Sequence, residues 1–221
     1  MATEAKSNEI TAIPSLLDQI EVAGAVITID AAGCQRHLAE AIVQRQGDYV
    51  LALKGNQQAL HTTASNYLLG IVDQDSAADR FVEVLKGHGR IDTLTYYHVP
   101  VPDEIDPAGK WVGLRSIGLA IRMSESGDQV RSDVRYYISS LEPDAARFAS
   151  FVRGHWAIEN TLHWCLDMTF REDECRVRDR HATQNLAWLK RFAIGLLKQH
   201  SDKESIAMRR SAIDPISQSA S

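Results

Sequence analysis

The amino-acid sequence predicts an α/β fold in which helices flank a mixed sheet that carries an antiparallel, β-rich insertion. In residues 1–79, helix-like segments alternate with two short apolar runs, AVITIDA and DYVLALK, which are typical of buried parallel strands. In residues 80–141, runs rich in Tyr, Val and Ile follow one another, as in antiparallel sheets. Residues 142–200 return to helical patterns, and residues 201–221 are predicted to be a disordered tail.

Each element of the first part has its own local signal. The first ten residues are mostly polar and are expected to be loose, and ITAIPSLLDQIEV predicts a helix that opens around Pro14. AVITIDA is predicted to be a strand that ends in an acid, Asp30. CQRHLAEAIVQRQG is predicted to be a helix that stops at Gly47. DYVLALK then predicts a second strand, and NQQALHTTASNYLLG predicts a third helix.

Turn signals divide the β-rich part into strands. Its runs are FVEVLKGHG, RIDTLTYYHVP, SIGLAIRMSE and DVRYYISS, and ESGD between the last two predicts a hairpin turn. LEPDAARFASFV predicts a helix that leads into the segment from Arg153 to Arg180. AWLKRFAIGLLKQH predicts a last amphipathic helix.

Composition excludes some classes of protein. The chain has 221 residues, of which 44% are hydrophobic, and no run approaches the ~20 apolar residues that span a membrane. The first ten residues lack the pattern of a secretory signal, and three cysteines without a CxxC pair indicate reduced thiols, so we expect a cytoplasmic protein. The net charge of −5 argues against nucleic-acid binding by overall charge, but a local basic track remains compatible with it.

The segment from Arg153 to Arg180 has the most informative spacing in the chain. On a helix, a polar residue every four positions forms one slanting ladder, which here consists of His155, Glu159, His163 and Asp167. Spacing alone favours an ordinary solvated helix face. Trp156 and Trp164 favour a helix packed between layers of the fold, where a carboxylate without a binding partner would be costly to desolvate. The basic residues that follow are Arg171, Arg176, Arg178 and Arg180.

Two acids are candidates for one metal site. Asp30 ends a predicted parallel strand, where open α/β sheets place ligand groups, and Glu159 lies on the predicted helix. Two converging carboxylates suit Mg²⁺ or Mn²⁺, and such a site acts on phosphorus centres. A strand-end acid that caps the next helix explains Asp30 equally well. A transition-metal site of His155, Glu159 and His163 is a minor alternative.

Two loops are candidates for phosphate contacts. In LKGNQ, Lys54 and Asn56 could touch phosphate or hold a carboxylate, although an ordinary glycine-centred turn is the simpler interpretation. In GHGR, His88 and Arg90 could meet DNA, and a loop before a strand explains them equally well.

The chain resembles the insertion-sequence transposases of the ISAs group, which include the H-repeat-associated proteins. The resemblance covers about Lys6 to Lys198, and it is carried by KSNEITAIPSLL, VITIDAAGCQ, DYVLALKGNQ, GHGRI, YYISSL, HWAIENTLHWCLDMTFREDECRVR and QNLAWLKRFAIGLL. It implies a ribonuclease H-like fold and a catalytic Asp, Asp, Glu triad that binds two Mg²⁺ ions. Asp30 matches the second acid and Glu159 the third.

The loops and late arginines supply the DNA-binding candidates, and the resemblance implies the partners. The DNA-binding candidates are Lys54, Asn56, His88, Arg90, Arg153, His155, Arg171, Arg176 and Arg178. Related families have Arg where this chain has His155. The implied partners are the ends and target of an insertion sequence, a second copy or the full-length transposase, and no membrane. The protein is therefore expected at the nucleoid when it is bound to DNA.

One departure from the family limits these expectations. The family's first aspartate lies in an IDGK-like block upstream of KSNEI, and this sequence contains no such block. We therefore expect an N-terminally truncated reading frame that lacks the leading strands and leaves the strand of Asp30 with an unpaired edge. The expected function is an inactive fragment of a DDE-type DNA transposase. Alternatives are a non-catalytic DNA-binding or inhibitory remnant and a metal-dependent nuclease.

Overall fold

The structure is a computed structural model that describes residues 3–74, 80–87, 89–158, 166 and 179–199. The chain divides into two compact units, Met1–Arg153 and Gly154–Ser221. The helices are α1 (Thr3–Leu17), α2 (Arg36–Gln44), α3 (Gln58–Asp73), α4 (Ala145–Ile158) and α5 (Arg180–Gln199). The strands are β1 (Val26–Ile29), β2 (Asp48–Leu53), β3 (Arg80–Gly87), β4 (Arg90–Pro100), β5 (Ser116–Ser126) and β6 (Gln129–Ser139).

The described strands form one mixed sheet in the order β1-β2-β6-β5-β4-β3. β1 and β2 are parallel, whereas every other neighbouring pair is antiparallel. The mixed α/β class predicted from the sequence is confirmed. Because β2 pairs with β6, the β-rich part continues the same sheet instead of forming a separate layer. Within the described part of the chain, β1 is an edge strand that pairs only with β2.

One face of the sheet packs against α2 and α3. The core there joins Ile42 of α2 and Leu68 of α3 to Leu51, Ile117 and Leu119 of the strands, all fully buried. Burying such aliphatic side chains contributes roughly 1.5–3 kcal/mol each before the cost in conformational entropy. This apolar contact holds the parallel and antiparallel parts of the sheet under the same pair of helices.

The other face of the sheet receives α4 through one aromatic side chain. Phe148 is fully buried, and its ring stacks on His98 with centroids 4.8 Å apart and meets Tyr137 edge-on at 5.4 Å. Gly118 of β5 makes this seat, because a Cβ atom built there would lie 2.4 Å from the Phe148 ring. The missing side chain at position 118 therefore sets how closely α4 approaches the sheet.

Two local predictions were wrong. Helix α1 already begins at Thr3, so the first ten residues are not loose, in keeping with the good helix formers Ala, Glu and Lys among them. Pro14 lies inside the last turns of that helix instead of at its start. Helix α2 ends at Gln44, and the residue with positive φ after it is Gln46 (60°), not Gly47. Gly47 is buried instead, and a Cβ atom there would lie 2.6 Å from Val22.

The second compact unit contains α5. Ile194 of this helix is buried, while Trp188, Leu189 and Phe192 are 75%, 62% and 66% exposed. No helix in the described ranges is long and apolar enough to cross a membrane.

We expect Gly118→Ala to destabilise the fold by about 1–3 kcal/mol, because the added methyl group overlaps the buried Phe148 ring. Gly70→Ala is the matched control, since nothing lies within 4 Å of a Cβ atom at that helical position. This control should raise stability by up to about 1 kcal/mol through helix propensity. Thermal unfolding followed by circular dichroism measures both, and equal melting temperatures for the two variants would contradict the proposed close approach.

Candidate functional site

Asp30 lies directly after β1, at the carboxyl end of the parallel strand pair. Its backbone is extended, and its carboxylate Oδ1 accepts a hydrogen bond from the Gly33 N–H at 3.2 Å. The side chain thus caps the short 3₁₀ turn Ala31–Gly33, and not α2, the helix predicted to follow it, whose N-cap residue is Gln35. Asp30 is nevertheless exposed, so the same bond orients its carboxylate while leaving it accessible to a ligand.

The loop after β2 is fastened to the loop that follows Asp30. The Asn56 side-chain amide donates to the Ala31 carbonyl at 2.6 Å, and that of Gln57 donates to the Cys34 carbonyl at 3.0 Å. Parallel strands bring their carboxyl ends to one edge of a sheet, which explains why these loops meet. Asn56 therefore holds backbone next to Asp30 and donates to no carboxylate there, and its contact with phosphate stays a prediction. Lys54 is exposed on the same loop.

Cys34 lies beneath this pair of loops and is fully buried. Burial raises the pKa of its thiol to about 12, because the thiolate would lose its hydration. The side chain is therefore a protonated, apolar support at neutral pH, not a nucleophile or a metal ligand.

The third acid predicted from the sequence, Glu159, lies outside the described residues, immediately after the end of α4 at Ile158. The same holds for His88, His163, Asp167, Arg171, Arg176 and Arg178. The predicted approach of Asp30 to Glu159 stays a prediction. Among the residues that the structure describes, no group of three or more His, Cys, Asp and Glu side chains could hold a metal ion. His155 lies in the last turn of α4 and is half-buried.

A buried polar network that the sequence did not reveal fixes the start of α4. Ser116 Oγ donates to the Leu141 carbonyl at 2.7 Å, so its oxygen accepts the Nε2–H of His98 at 2.7 Å. His98 Nδ1 in turn accepts the Asp144 N–H at 2.9 Å, just before α4 begins. His98 and Ser116 are 1% and 0% exposed. Only the pairing of β4 with β5 brings these residues together, so no local pattern could have predicted them.

The two described arginines that the sequence assigned to DNA both bind carboxylates. Arg90 Nε donates to Asp92 at 3.0 Å, and Arg153 donates to both oxygens of Glu83 at 2.8 and 2.6 Å. Their side chains remain 52% and 48% exposed. A DNA phosphate would therefore meet guanidinium groups whose charge is already partly neutralised.

Asp92 is the most constrained carboxylate of this region. It also accepts hydrogen bonds from Arg122 at 3.1 Å and from the hydroxyl of Ser124. Desolvation alone would raise its pKa, but the hydrogen bonds from Ser124 and Arg122 and the positive charges of Arg122 and Arg90 outweigh it and lower the pKa.

Comparison with known proteins gives the family. A family model described as "Transposase DDE domain" matches residues 1–196. The chain is 37% identical over 222 residues to the Escherichia coli K12 proteins "Putative protein YbfL" and "H repeat-associated putative transposase YhhI", covering 96% of this chain and 58% of each relative. It is 38% identical over 204 residues to "Putative transposase YncI" of Escherichia coli O157:H7, covering 90% of this chain and 52% of that protein. The chain thus spans somewhat more than half the length of these relatives.

We expect Asp92→Asn to lower stability at neutral pH by about 1–3 kcal/mol, because Arg90 and Arg122 lose their anionic partner. Since the pKa of Asp92 is lowered in the folded state, its stabilisation is present above the unfolded value of about 3.9 and is lost as the pH falls through the folded value. The difference between variant and wild type should therefore shrink on acidification.

Asp133→Asn is the matched control for Asp92→Asn, because Asp133 pairs with Arg135 at the surface with its side chain 51% exposed. Its effect should stay within about 0.5 kcal/mol at any pH. Urea unfolding at several pH values measures both variants. A loss for Asp92→Asn that does not change with pH would contradict the role of the carboxylate.

Proposed function

The chain belongs to the transposase DDE domain family, and we propose that it takes part in transposition by contributing to a site that acts on DNA phosphodiester bonds. The observation that carries this proposal is the position of Asp30. Its exposed carboxylate lies at the carboxyl end of β1, held by the Gly33 N–H, with the β2 loop fastened beside it through Asn56. Ligand groups of open α/β sheets lie at such strand ends.

Asp30 and Glu159 are the proposed metal ligands. Carboxylate oxygens are the donors that Mg²⁺ and Mn²⁺ prefer, and the exposed, oriented carboxylate of Asp30 fits this requirement. When bound, a pair of such ions supplies an activated water or sugar hydroxyl and stabilises the leaving oxygen. The protein's own contribution is positioning: the Gly33 N–H orients Asp30, and Asn56 restrains the turn that follows it.

The assignment of Glu159 rests on its match to the third acid of the family and on its place directly after α4 in the sequence. The start of α4 itself is tied to the sheet by His98 and by Phe148 in its seat at Gly118. A structure in which the Asp30 and Glu159 carboxylates lie far apart would contradict the site.

We further propose that the chain alone does not carry out strand transfer. A DDE site needs three acids, and this sequence offers a match for only the second and third. Since the relatives are longer, the activity, substrates and partners of a whole protein of this kind remain proposals for this chain. A non-catalytic DNA-binding or inhibitory role is the second candidate, favoured by the same incomplete set of acids together with the late arginines Arg176 and Arg178.

We expect the purified chain to yield no cleaved or joined products from insertion-sequence ends in Mg²⁺ or Mn²⁺. A complete transposase of the family, assayed on its own element, is the positive control. Denaturing gels of end-labelled DNA measure both reactions. Efficient metal-dependent joining by the chain, abolished by Asp30→Asn, would overturn the proposed inactivity while supporting the assignment of Asp30. Cutting at random positions without joining would instead indicate a nuclease.

We expect the chain to bind insertion-sequence ends in EDTA through its late arginines. Charge reversal at Arg176 and Arg178 should weaken binding at least about tenfold and reduce the slope of log K against log salt by up to about 2, because each phosphate contact contributes about 0.9. Charge reversal at Arg115 and Arg131, which are exposed and were not assigned to DNA, is the matched control. Gel shifts at several salt concentrations measure the effect, and binding that requires Mg²⁺ would count against the non-catalytic role.

A further inference from the structure

The strands β3–β6 have two chemically different faces at the end of the sheet that is remote from β1 and β2. Residues alternate between the faces along each strand, and the pairing register shows which residues share a face. One face, here called the charged face, carries Arg90, Asp92, Arg122, Arg131 and Asp133. The opposite face, here called the apolar face, carries Val82, Val84, Ile91, Met123, Val130 and Val134.

The apolar face is exposed. Its six named residues are between 39% and 62% accessible to solvent, so the described part of the chain does not bury them. The ordinary expectation for a solvent-facing sheet is a polar outer face. Contiguous exposed apolar patches on folded proteins commonly mark interaction sites.

The register arranges this face in three rows across β3, β4, β5 and β6. They read Lys86–Ile91–Glu125–Val130, then Val84–Thr93–Met123–Ser132, then Val82–Thr95–Ile121–Val134. In each row the β3 and β5 residues lie at equal distances on either side of β4. Apolar residues flank β4 in two of the rows, and opposite charges flank it in the third. If the face is rotated by 180° about an axis along β4, apolar residues therefore meet apolar residues in two rows, and each charge meets an opposite charge in the third.

We propose that the part of the apolar face on β3, β4 and β5 is the contact surface for a second copy of this chain, packed face to face about a two-fold axis close to the direction of β4. That rotation exchanges β3 with β5. It brings Lys86 of one protomer opposite Glu125 of its partner, twice, and it brings Val84 of one opposite Met123 of the other. Ile91 and Thr93 meet their own copies near the axis. The proposal goes beyond the function in transposition and does not depend on it.

Charge complementarity selects a second copy over other occupants. Within one chain, Lys86 and Glu125 lie on the same face with β4 between them, and none of the ion pairs among the described residues joins them. The two-fold rotation turns the two side chains toward each other across the contact and pairs both charges at the rim. An unrelated apolar partner would leave both side chains beside its surface without a counter-charge. Rim pairs of this kind mainly fix register and specificity.

The size of the contact sets its strength. The overlap covers three strands and three rows, about 14 Å by about 20 Å, which is well below the roughly 800 Å² per partner of a standard interface. The association is therefore weak and depends on concentration. The charged face lies on the other side of the sheet and stays outside the contact, so a dimer leaves Arg90, Arg122 and Arg131 accessible to solvent.

The first test substitutes two residues of the same row. Met123→Asp places a charge inside the overlap, whereas Ser132→Asp places one on β6, which the rotation moves beyond the edge of the partner's sheet. Sedimentation equilibrium from about 10 micromolar to about 1 millimolar gives the dimer dissociation constant. We expect Met123→Asp to raise it at least about tenfold and Ser132→Asp to change it by less than about threefold.

The second test exchanges the charges. Lys86→Glu alone and Glu125→Lys alone should each weaken the dimer about five- to tenfold, since each creates two like-charge pairs. The double variant should return to within about threefold of wild type. Circular dichroism and thermal unfolding check that all variants remain folded, which their exposure favours.

Three results would overturn the proposal. One is a wild-type chain that stays monomeric over the whole concentration range. Another is a dimer that Met123→Asp and Ser132→Asp affect equally. The third is a dimer that neither single charge reversal weakens, which would indicate association through another surface, such as the unpaired edge of β3. DNA binding is measured separately, so failure here leaves the proposed function standing.

Discussion

The antiparallel pairing of β2 with β6 is the constraint on which the rest of the structure depends. It joins strands that are distant in sequence, with Val50 beside Ser139 and Leu53 beside Tyr136. Ser140 closes the join, because its hydroxyl donates to Asp48 at 2.7 Å and accepts the Tyr49 N–H at 2.9 Å. Without this pairing, the parallel strands that carry Asp30 and the antiparallel strands that seat α4 would be two small sheets. Each would have too little core for independent stability.

The same join relates the strands that carry Asp30 to the strands that hold α4. Asp30 depends on the β1–β2 pair, and the start of α4 depends on His98 and Gly118 in β4 and β5. The β2–β6 pairing links these two groups, which are distant in sequence. A change at Gly118 therefore acts on the seat of α4 without touching Asp30.

Local patterns in the sequence were enough to predict the elements but not their register. Alternation and turn signals located β4, β5, β6 and the turn at Gly127, whose φ of +56° shows why glycine is needed there. Asp30 was placed at a strand end for the same reason. The His98–Ser116 contact and the pairing of Arg122 with Asp92 were missed, because both depend on which residues face each other across strands. The exposure of the apolar face could likewise not be predicted from the sequence, because Val84 and Met123 resemble core residues until the positions of the helices over the sheet are known.

The outer edge of β1 lies next to Asp30. In the described chain β1 pairs with one neighbouring strand, β2, and its four side chains are half-buried. A further strand along that edge would extend the sheet and cover more of the half-buried side chains. Such a strand would run about 5 Å from β1, so an acid at its end would lie beside Asp30 within reach of a shared cation.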